Sequence, residues 1–308
     1  MTGTIATRLL TAALVVIGSS MLVFVIMYVL PGDPVLQMLD GNATSPEAIE
    51  QVRKQLGLDQ PFYVQFLQYF LHLLQGDFGI SRIDSSPVLA KILEHVPATL
   101  ALTLVSATVS ILVGTILGVL SAIHRNGFID MLARFVGLFG ISMPTFWTGI
   151  LLLLLFSIQL GLLPIAGSTG WKSLVLPGIT LGLVGAGLIV RMVRNTMLEV
   201  ISEPYIVTLR AKGLAEQAVM YRHALRNALI PALTVIGVMI GELLSGTVVV
   251  ETVFARQGIG RILADAIMAK DLPVVQGVVF FTAIIYVLVN FLVDISYSFV
   301  DPRIRRSQ

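Results

Sequence analysis

Apolar runs of about twenty residues or more recur six times along this chain, and few folds accommodate that pattern. They extend roughly from Leu9 to Leu30, Pro97 to Ile123, Met131 to Leu160, Leu174 to Val193, Ile230 to Val250 and Val274 to Val293. An α-helix crosses the hydrocarbon core of a bilayer, about 30 Å thick, in about 20 residues. In lipid the backbone N–H and C=O groups must be paired within the segment, so such runs fold as helices. Only 12% of the 308 residues are charged and 56% are hydrophobic, against about a quarter charged in soluble domains. The predicted fold is an all-α polytopic membrane protein with six transmembrane helices. There is no cysteine, which excludes disulfides, thiolate metal sites and thiol nucleophiles. The four histidines, His72, His95, His124 and His223, lie far apart in the sequence.

The first run could also be read as a cleaved signal. It is too long for a signal core, and Tyr28-Val29-Leu30-Pro31 is no small-residue cleavage site, so residues 1–30 are expected to be the first transmembrane helix. Pro31-Gly32-Asp33-Pro34 ends it. Residues 31–96 form the longest polar insertion. Ser45-Pro46-Glu47 reads as an N-cap, a proline at the first helical position and an acidic first turn, opening a short helix to about Leu56. A second begins at Asp59-Gln60-Pro61 and is rich in aromatics: Phe62, Tyr63, Phe66, Tyr69 and Phe70. It is too short and polar to span. An amphipathic helix on the membrane surface and a helix packed against its own loop are both open. Gly76-Asp77-Phe78-Gly79 turns the chain, and Ser86-Pro87 starts the approach to the second span.

Residues 97–300 would form a five-helix core and 301–308 a polar tail. Ser142-Met143-Pro144 interrupts the third run, and a proline within a span is tolerated where neighbours re-satisfy the backbone. The fourth run carries Gly178, Gly182, Gly185 and Gly187, small residues that let helices approach closely. Between the fourth and fifth runs lies a polar, basic, helix-prone stretch, Tyr205 to Pro231, with Gly213 between two short helical patterns. After Gly213 the apolar positions Leu214, Ala218, Tyr221 and Leu225 follow helical spacing, leaving Glu216, Gln217 and Arg226 near water. Spanning a bilayer does not require such a stretch. It reads either as a hairpin kept basic by the positive-inside bias or as a helix–Gly–helix plug for a soluble partner.

With the amino terminus inside, twelve Lys and Arg residues fall in inner loops and eight in the longer outer ones. Both termini and the segment 196–227 are then cytoplasmic, and 31–96 is external. No phosphate-cradling GxxxxGK[ST] loop occurs; Gly167 to Ser173 lacks the Gly-Lys junction. HExxH and GxSxG signatures are absent too. The ionisable residues in the spans are few: Glu242 in the fifth and Asp294 near the inner end of the sixth. Each could face a substrate path or be a hydrogen-bonded structural carboxyl.

Thr208-Leu209-Arg210-Ala211-Lys212-Gly213-Leu214, followed by Arg222-His223-Ala224-Leu225-Arg226-Asn227-Ala228-Leu229-Ile230-Pro231, resembles the EAA loop of ABC importer permeases. The resemblance is to the B-type permease of dipeptide, oligopeptide and nickel importers. Further matching pieces are Pro31 to Pro34, Gly76 to Gly79, Pro97-Ala98-Thr99, Ser142 to Trp147, Leu163 to Gly167, Val250 to Phe254, Gly258-Ile259-Gly260 and Asp271 to Gln276. Each piece is weak alone; together they cover nearly the whole chain. Two departures stand out: Val207-Thr208-Leu209 replaces the opening Glu-Ala-Ala, and Arg226 falls near the closing proline. Pro231 then reads as the start of the fifth span.

The resemblance implies a type I ABC importer permease fold. It implies that the chain is no enzyme and holds no cofactor, ATP and Mg being bound by two cytoplasmic ATPase subunits. It also implies a second homologous permease completing a heterodimer, and an external substrate-binding protein; membrane lipid surrounds it and nucleic acid plays no part. The location implied is a bacterial or archaeal inner membrane. Arg210, Ala211, Lys212, Gly213, Leu214, Glu216, Arg222 and His223 would be the ATPase-coupling residues; independently of the resemblance, polarity and small size alone suggest Ser142, Gly182 and Glu242 as lining the translocation path. Dipeptides, oligopeptides, glutathione and nickel chelates are all open as substrates. A gradient-driven secondary transporter working alone is the rival class, and a membrane-embedded enzyme or assembly scaffold a third.

Overall fold

The computed structural model describes residues 2–29, 46–55 and 57–300. The expected break at Pro31 to Pro34, the cap at Ser45 and the tail 301–308 lie outside the described residues, as does the side chain of Asp294. Among the described residues the regular structure is helical: α1 (Thr2–Val29), α2 (Pro46–Gln55), α3 (Phe62–Leu74), α4 (Val88–Ile123), α5 (Phe128–Ser142), α6 (Thr145–Gln159), α7 (Lys172–Ile201), α8 (Pro204–Ala211), α9 (Glu216–Val253), α10 (Ile259–Met268) and α11 (Leu272–Val300). Of these, α4, α7, α9 and α11 are long and apolar enough to cross a membrane, and α5 with α6 makes a fifth crossing if counted as one span. Helix α1 carries a shorter apolar stretch, Leu10–Ile26. That set is consistent with the six-span expectation without matching it one for one.

Three boundaries differ from the sequence reading. The third run, expected from Met131 to Leu160 with an interruption at Ser142-Met143-Pro144, is two helices that start at Phe128 and meet at 115°. Pro144 lacks an N–H and disfavours helical geometry at Met143, which is extended at ψ 133°. Pro231 does not start a span; it lies inside α9, which begins fifteen residues earlier at Glu216. Finally, Val219–Ala224 is wound as π-turns. Bonding from i to i+5 takes up an extra residue per turn and rotates the face beyond it. Val219, Met220 and Ala224 are therefore buried, whereas Tyr221, expected on the apolar face, is 51% exposed.

The chain forms two compact units: Met1–Glu94 with Ile262–Val287, and His95–Arg261 with Leu288–Gln308. The first boundary falls two residues before the expected end of the insertion at 96, and the first unit also includes 262–287, which the five-helix core had contained.

In the first unit, α3 packs aromatics onto α1. Phe24 meets Phe62, Phe66 and Tyr69 at ring distances of 5.3, 5.5 and 5.4 Å. Such edge and offset contacts add to apolar burial. Phe70 and Phe78 both reach the buried Phe280 of α11. Tyr63, Leu67, Leu71 and Leu74 form a second, exposed apolar stripe on α3. The helix thus has one face packed in the protein and another of membrane-surface character. The loop ahead of α4 is tied to α11 through Asp271, which accepts from the Ser81 hydroxyl and the Arg82 N–H.

In the second unit, α7 packs against both α5 and α9. Its glycines bring backbones together. A Cβ on Gly187 would lie 2.5 Å from the Gly137 carbonyl oxygen, and one on Gly140 would lie 2.2 Å from that of Leu183. Ser110 of α4 donates to the Gly182 carbonyl at 2.8 Å. Ile189, Val193 and Met197 continue this core to Ile206, Val219, Ala224 and Ala228, so the polar stretch rests on an apolar foundation.

Candidate functional site

The stretch 202–218 is built as an arm, a turn and a second arm. Pro204 occupies the first turn of α8, where its missing N–H has no consequence. Ile206 is buried and Leu209 packs against the core, while Val207, Thr208, Arg210 and Ala211 face outward. At the C-terminus of α8 the Gly213 N–H donates to the Arg210 carbonyl at 2.9 Å and the Leu214 N–H to that of Leu209 at 3.3 Å. This pair of bonds is a Schellman cap, which requires a left-handed residue. Gly213 supplies it at φ +79°. Leu209 and Leu214, the residues that flank such a cap, both pack on the core. The glycine is therefore needed for its backbone angle; no atom lies within 4 Å of where its Cβ would be.

The Arg210 guanidinium spans the turn to Glu216, with Nη2 at 2.7 Å from Oε1 and Nε at 3.1 Å from Oε2. That hydrogen-bonded carboxylate holds Arg210 above its usual pKa. Asn227 donates to the Tyr205 hydroxyl at 2.7 Å, fastening α8 to α9. Of the residues assigned to this surface, Arg210, Ala211, Lys212, Gly213, Glu216 and Arg222 are exposed, and Leu214 and His223 are half-buried. Arg210 and Glu216 are paired with each other, so Ala211, Lys212 and Gly213 form the exposed crest.

A second cluster in the same unit went unread in the sequence. Asp130 is fully buried and accepts from Arg194 in a bidentate pair, Nε at 2.8 Å and Nη2 at 3.0 Å. It also accepts from the Ser121 hydroxyl at 2.6 Å and the Asn126 N–H at 2.9 Å, and Arg134 Nε lies 3.4 Å away. One carboxylate thus ties α4, α5 and α7 together, with its lone pairs satisfied by donors. In the sequence Arg134 and Arg194 are two of the twelve basic residues assigned to the inner loops. The available signal was an acidic residue in the first turn of a span otherwise flanked by arginines.

Three of the quoted sequence pieces converge on Glu251. Its carboxylate accepts from the Thr99 hydroxyl at 2.6 Å and the Arg261 N–H at 3.1 Å, while Thr99 Oγ1 accepts from the Ile259 N–H. A Cβ on Gly258 would lie 2.1 Å from a Glu251 carboxylate oxygen, which explains the glycine. Arg256 is buried beside this carboxylate, and burial lowers its pKa against the raising effect of Glu251.

The three path candidates differ in exposure. Ser142 and Glu242 are exposed, whereas Gly182 is buried with Val109 Cγ1 2.7 Å from where its Cβ would be. Among the described residues no cluster of His, Asp or Glu could hold a metal ion.

Residues 114–306 match a family model described as binding-protein-dependent transport system inner membrane component. The chain belongs to this family. Residues 1–103 match a second model, for the N-terminal part of such a component. A Brucella suis biovar 1 (strain 1330) protein named as a candidate peptide transport system permease is 43% identical over 99% of both chains. The glutathione transport system permease GsiC of Escherichia coli (strain K12) is 41% identical over 93% of both. A solved inward-facing structure of the MetNI methionine ABC transporter shares the fold at a TM-score of 0.59 and 22% identity, over 70% of this chain and 99% of that one. This permease is therefore a membrane component of an ABC transport system and has the all-α ABC importer permease fold. The family description also names a binding protein on which such systems depend.

Proposed function

We propose that this permease is half of the translocation path of an ATP-driven peptide importer and that the turn at Gly213 couples it to cytoplasmic ATPases. The observation that carries this reading is the exposed crest Ala211-Lys212-Gly213, shaped by a left-handed cap and anchored from beneath by Ile206, Leu209, Leu214 and Val219. A short helix ended by a sharp turn and seated on a rigid core suits docking into a groove. ATP and Mg would be held by two ATPase subunits, each meeting one permease of a heterodimer. A binding protein would deliver substrate to the opposite, external side, with both termini cytoplasmic. The two named relatives act on a peptide and on glutathione, itself a tripeptide, which supports a short peptide as substrate. The candidates for the path are Ser142 and Glu242, exposed in this chain, and Gly182, which packs against α4.

The test is uptake of labelled dipeptide, tripeptide and glutathione by cells with the partner ATPase gene deleted and the proton gradient intact. Uptake is expected to stop. Uptake that survives the deletion and collapses on adding an uncoupler would identify a gradient-driven carrier.

A further inference from the structure

A pocket of about 560 Å³ lies within the first unit, between α1, α3, the turn before α4 and the start of α11. That volume is in the range of small-molecule sites. Phe24, Tyr28 and Phe78 supply an aromatic wall. Two polar groups also line it: the Tyr69 hydroxyl and Nη1 of Arg82 are buried and have no hydrogen-bonding partner among the described residues. Buried donors in folded proteins are nearly always paired, so two in one pocket call for an acceptor.

The nearby carboxylates do not fill that role. Asp271 is committed to the Ser81 hydroxyl and the Arg82 backbone N–H. Asp77 lines the pocket and accepts from the Gly79 N–H. Arg53 also lines the pocket, with Glu50 3.7 Å from its Nε. The charge of Asp271 acts on the Arg82 guanidinium without a hydrogen bond to its Nη1, so that donor still lacks an acceptor. Burial raises the pKa of Tyr69, which keeps its hydroxyl a donor. A guanidinium stays charged in proteins and suits an oxyanion.

We propose that this pocket binds an amphiphilic anion, a phosphate or carboxylate on an apolar or aromatic body. Arg82 and Tyr69 hold the oxyanion, and Phe24, Tyr28 and Phe78 hold the body. An anionic lipid and a small soluble amphiphile share that chemistry. The proposal does not rest on the role of the Gly213 turn or on how transport is driven.

The full chain in phosphatidylcholine nanodiscs is titrated with phenyl phosphate by calorimetry, with phenol as the uncharged comparison. In parallel, chain reconstituted with phosphatidylglycerol is stripped and its retained lipid counted by native mass spectrometry. One equivalent of phenyl phosphate or of phosphatidylglycerol is expected to bind; the first outcome assigns a soluble source and the second a lipid one. Arg82→Gln weakens that binding about tenfold or more, the effect of one charge-assisted hydrogen bond. Tyr69→Phe, which keeps the ring against Phe24, weakens it about fivefold. Lys172→Gln, an equal loss of charge in the other unit, changes nothing. The proposal is overturned if neither probe binds at one equivalent, if phenol binds as tightly as phenyl phosphate, or if Arg82→Gln and Tyr69→Phe both bind like the unaltered chain.

Discussion

Replacing Gly213 by valine isolates what the left-handed turn contributes. Nothing lies within 4 Å of the added Cβ, so the main effect of the substitution is conformational. A left-handed residue with a side chain costs about 1–2 kcal/mol, and β-branching raises this toward 3. If the turn relaxes to escape that strain, the two Schellman bonds at Gly213 and Leu214 are lost, while Ile206, Val219 and Met220 stay buried and hold the arms on the core. Restoring the turn for docking then costs about 2 kcal/mol, or roughly a thirtyfold rise in Kd for the ATPase. Alanine should raise it about fivefold, and asparagine, which tolerates left-handed geometry, should stay within about threefold of glycine. The assay titrates purified ATPase subunit against the permease in nanodiscs, with ATP hydrolysis as a second readout and the thermal midpoint as a check on folding. Two results refute the reasoning. Valine could bind ATPase as glycine does and support normal hydrolysis. Asparagine could be as poor as valine, in which case φ is not what the site requires.

Other expectations follow from the buried polar groups. Asp130→Ala strands Arg194; because Arg194 keeps 17% exposure, the loss should sit near the lower end for a broken buried pair, about 3 kcal/mol, visible in thermal unfolding. Asp130→Leu combined with Arg194→Met should recover most of it. Gly258→Ala drives a methyl into the Glu251 carboxylate and should lower folded yield on size-exclusion chromatography, whereas Gly18→Ala, inside α1 with open space around it and no left-handed φ, should be tolerated far better. The Arg210–Glu216 pair is exposed, so Arg210→Ala should leave the thermal midpoint unchanged at moderate salt while altering ATPase affinity if the turn is the docking surface.

The long helices were legible because lipid imposes their length and composition: α4, α7, α9 and α11 each coincide with an apolar run. Their ends were not, since helices extend past the hydrophobic zone wherever a soluble part of the core supports them. Helix α9 starts at Glu216 because Val219, Met220 and Ala224 are buried, and no apolar run marks that. The interruption at Ser142-Met143-Pro144 was legible, but its 115° angle was not, because one proline is compatible with many geometries. The turn at Gly213 was readable from local chemistry. The Glu251 carboxylate and its partner Thr99 are 152 positions apart, and only resemblance to a family put both on one page. Asp130 and Arg194, 64 apart, had no such aid.

The continuity of α9 has a mechanical consequence. Its 38 residues span about 57 Å as one rod, with the Gly213 turn joined to one end and the Glu251 carboxylate gripped near the other. Helix α7 packs along this rod, so a lever built on α9 carries α7 with it, and the gripped carboxylate is its fulcrum. Swinging it by about 5° about that point carries the turn end through about 5 Å, almost the pitch of one helical turn. A push of that size on the crest would reach the far end without bending the helix, by a joint swing of α9 and α7.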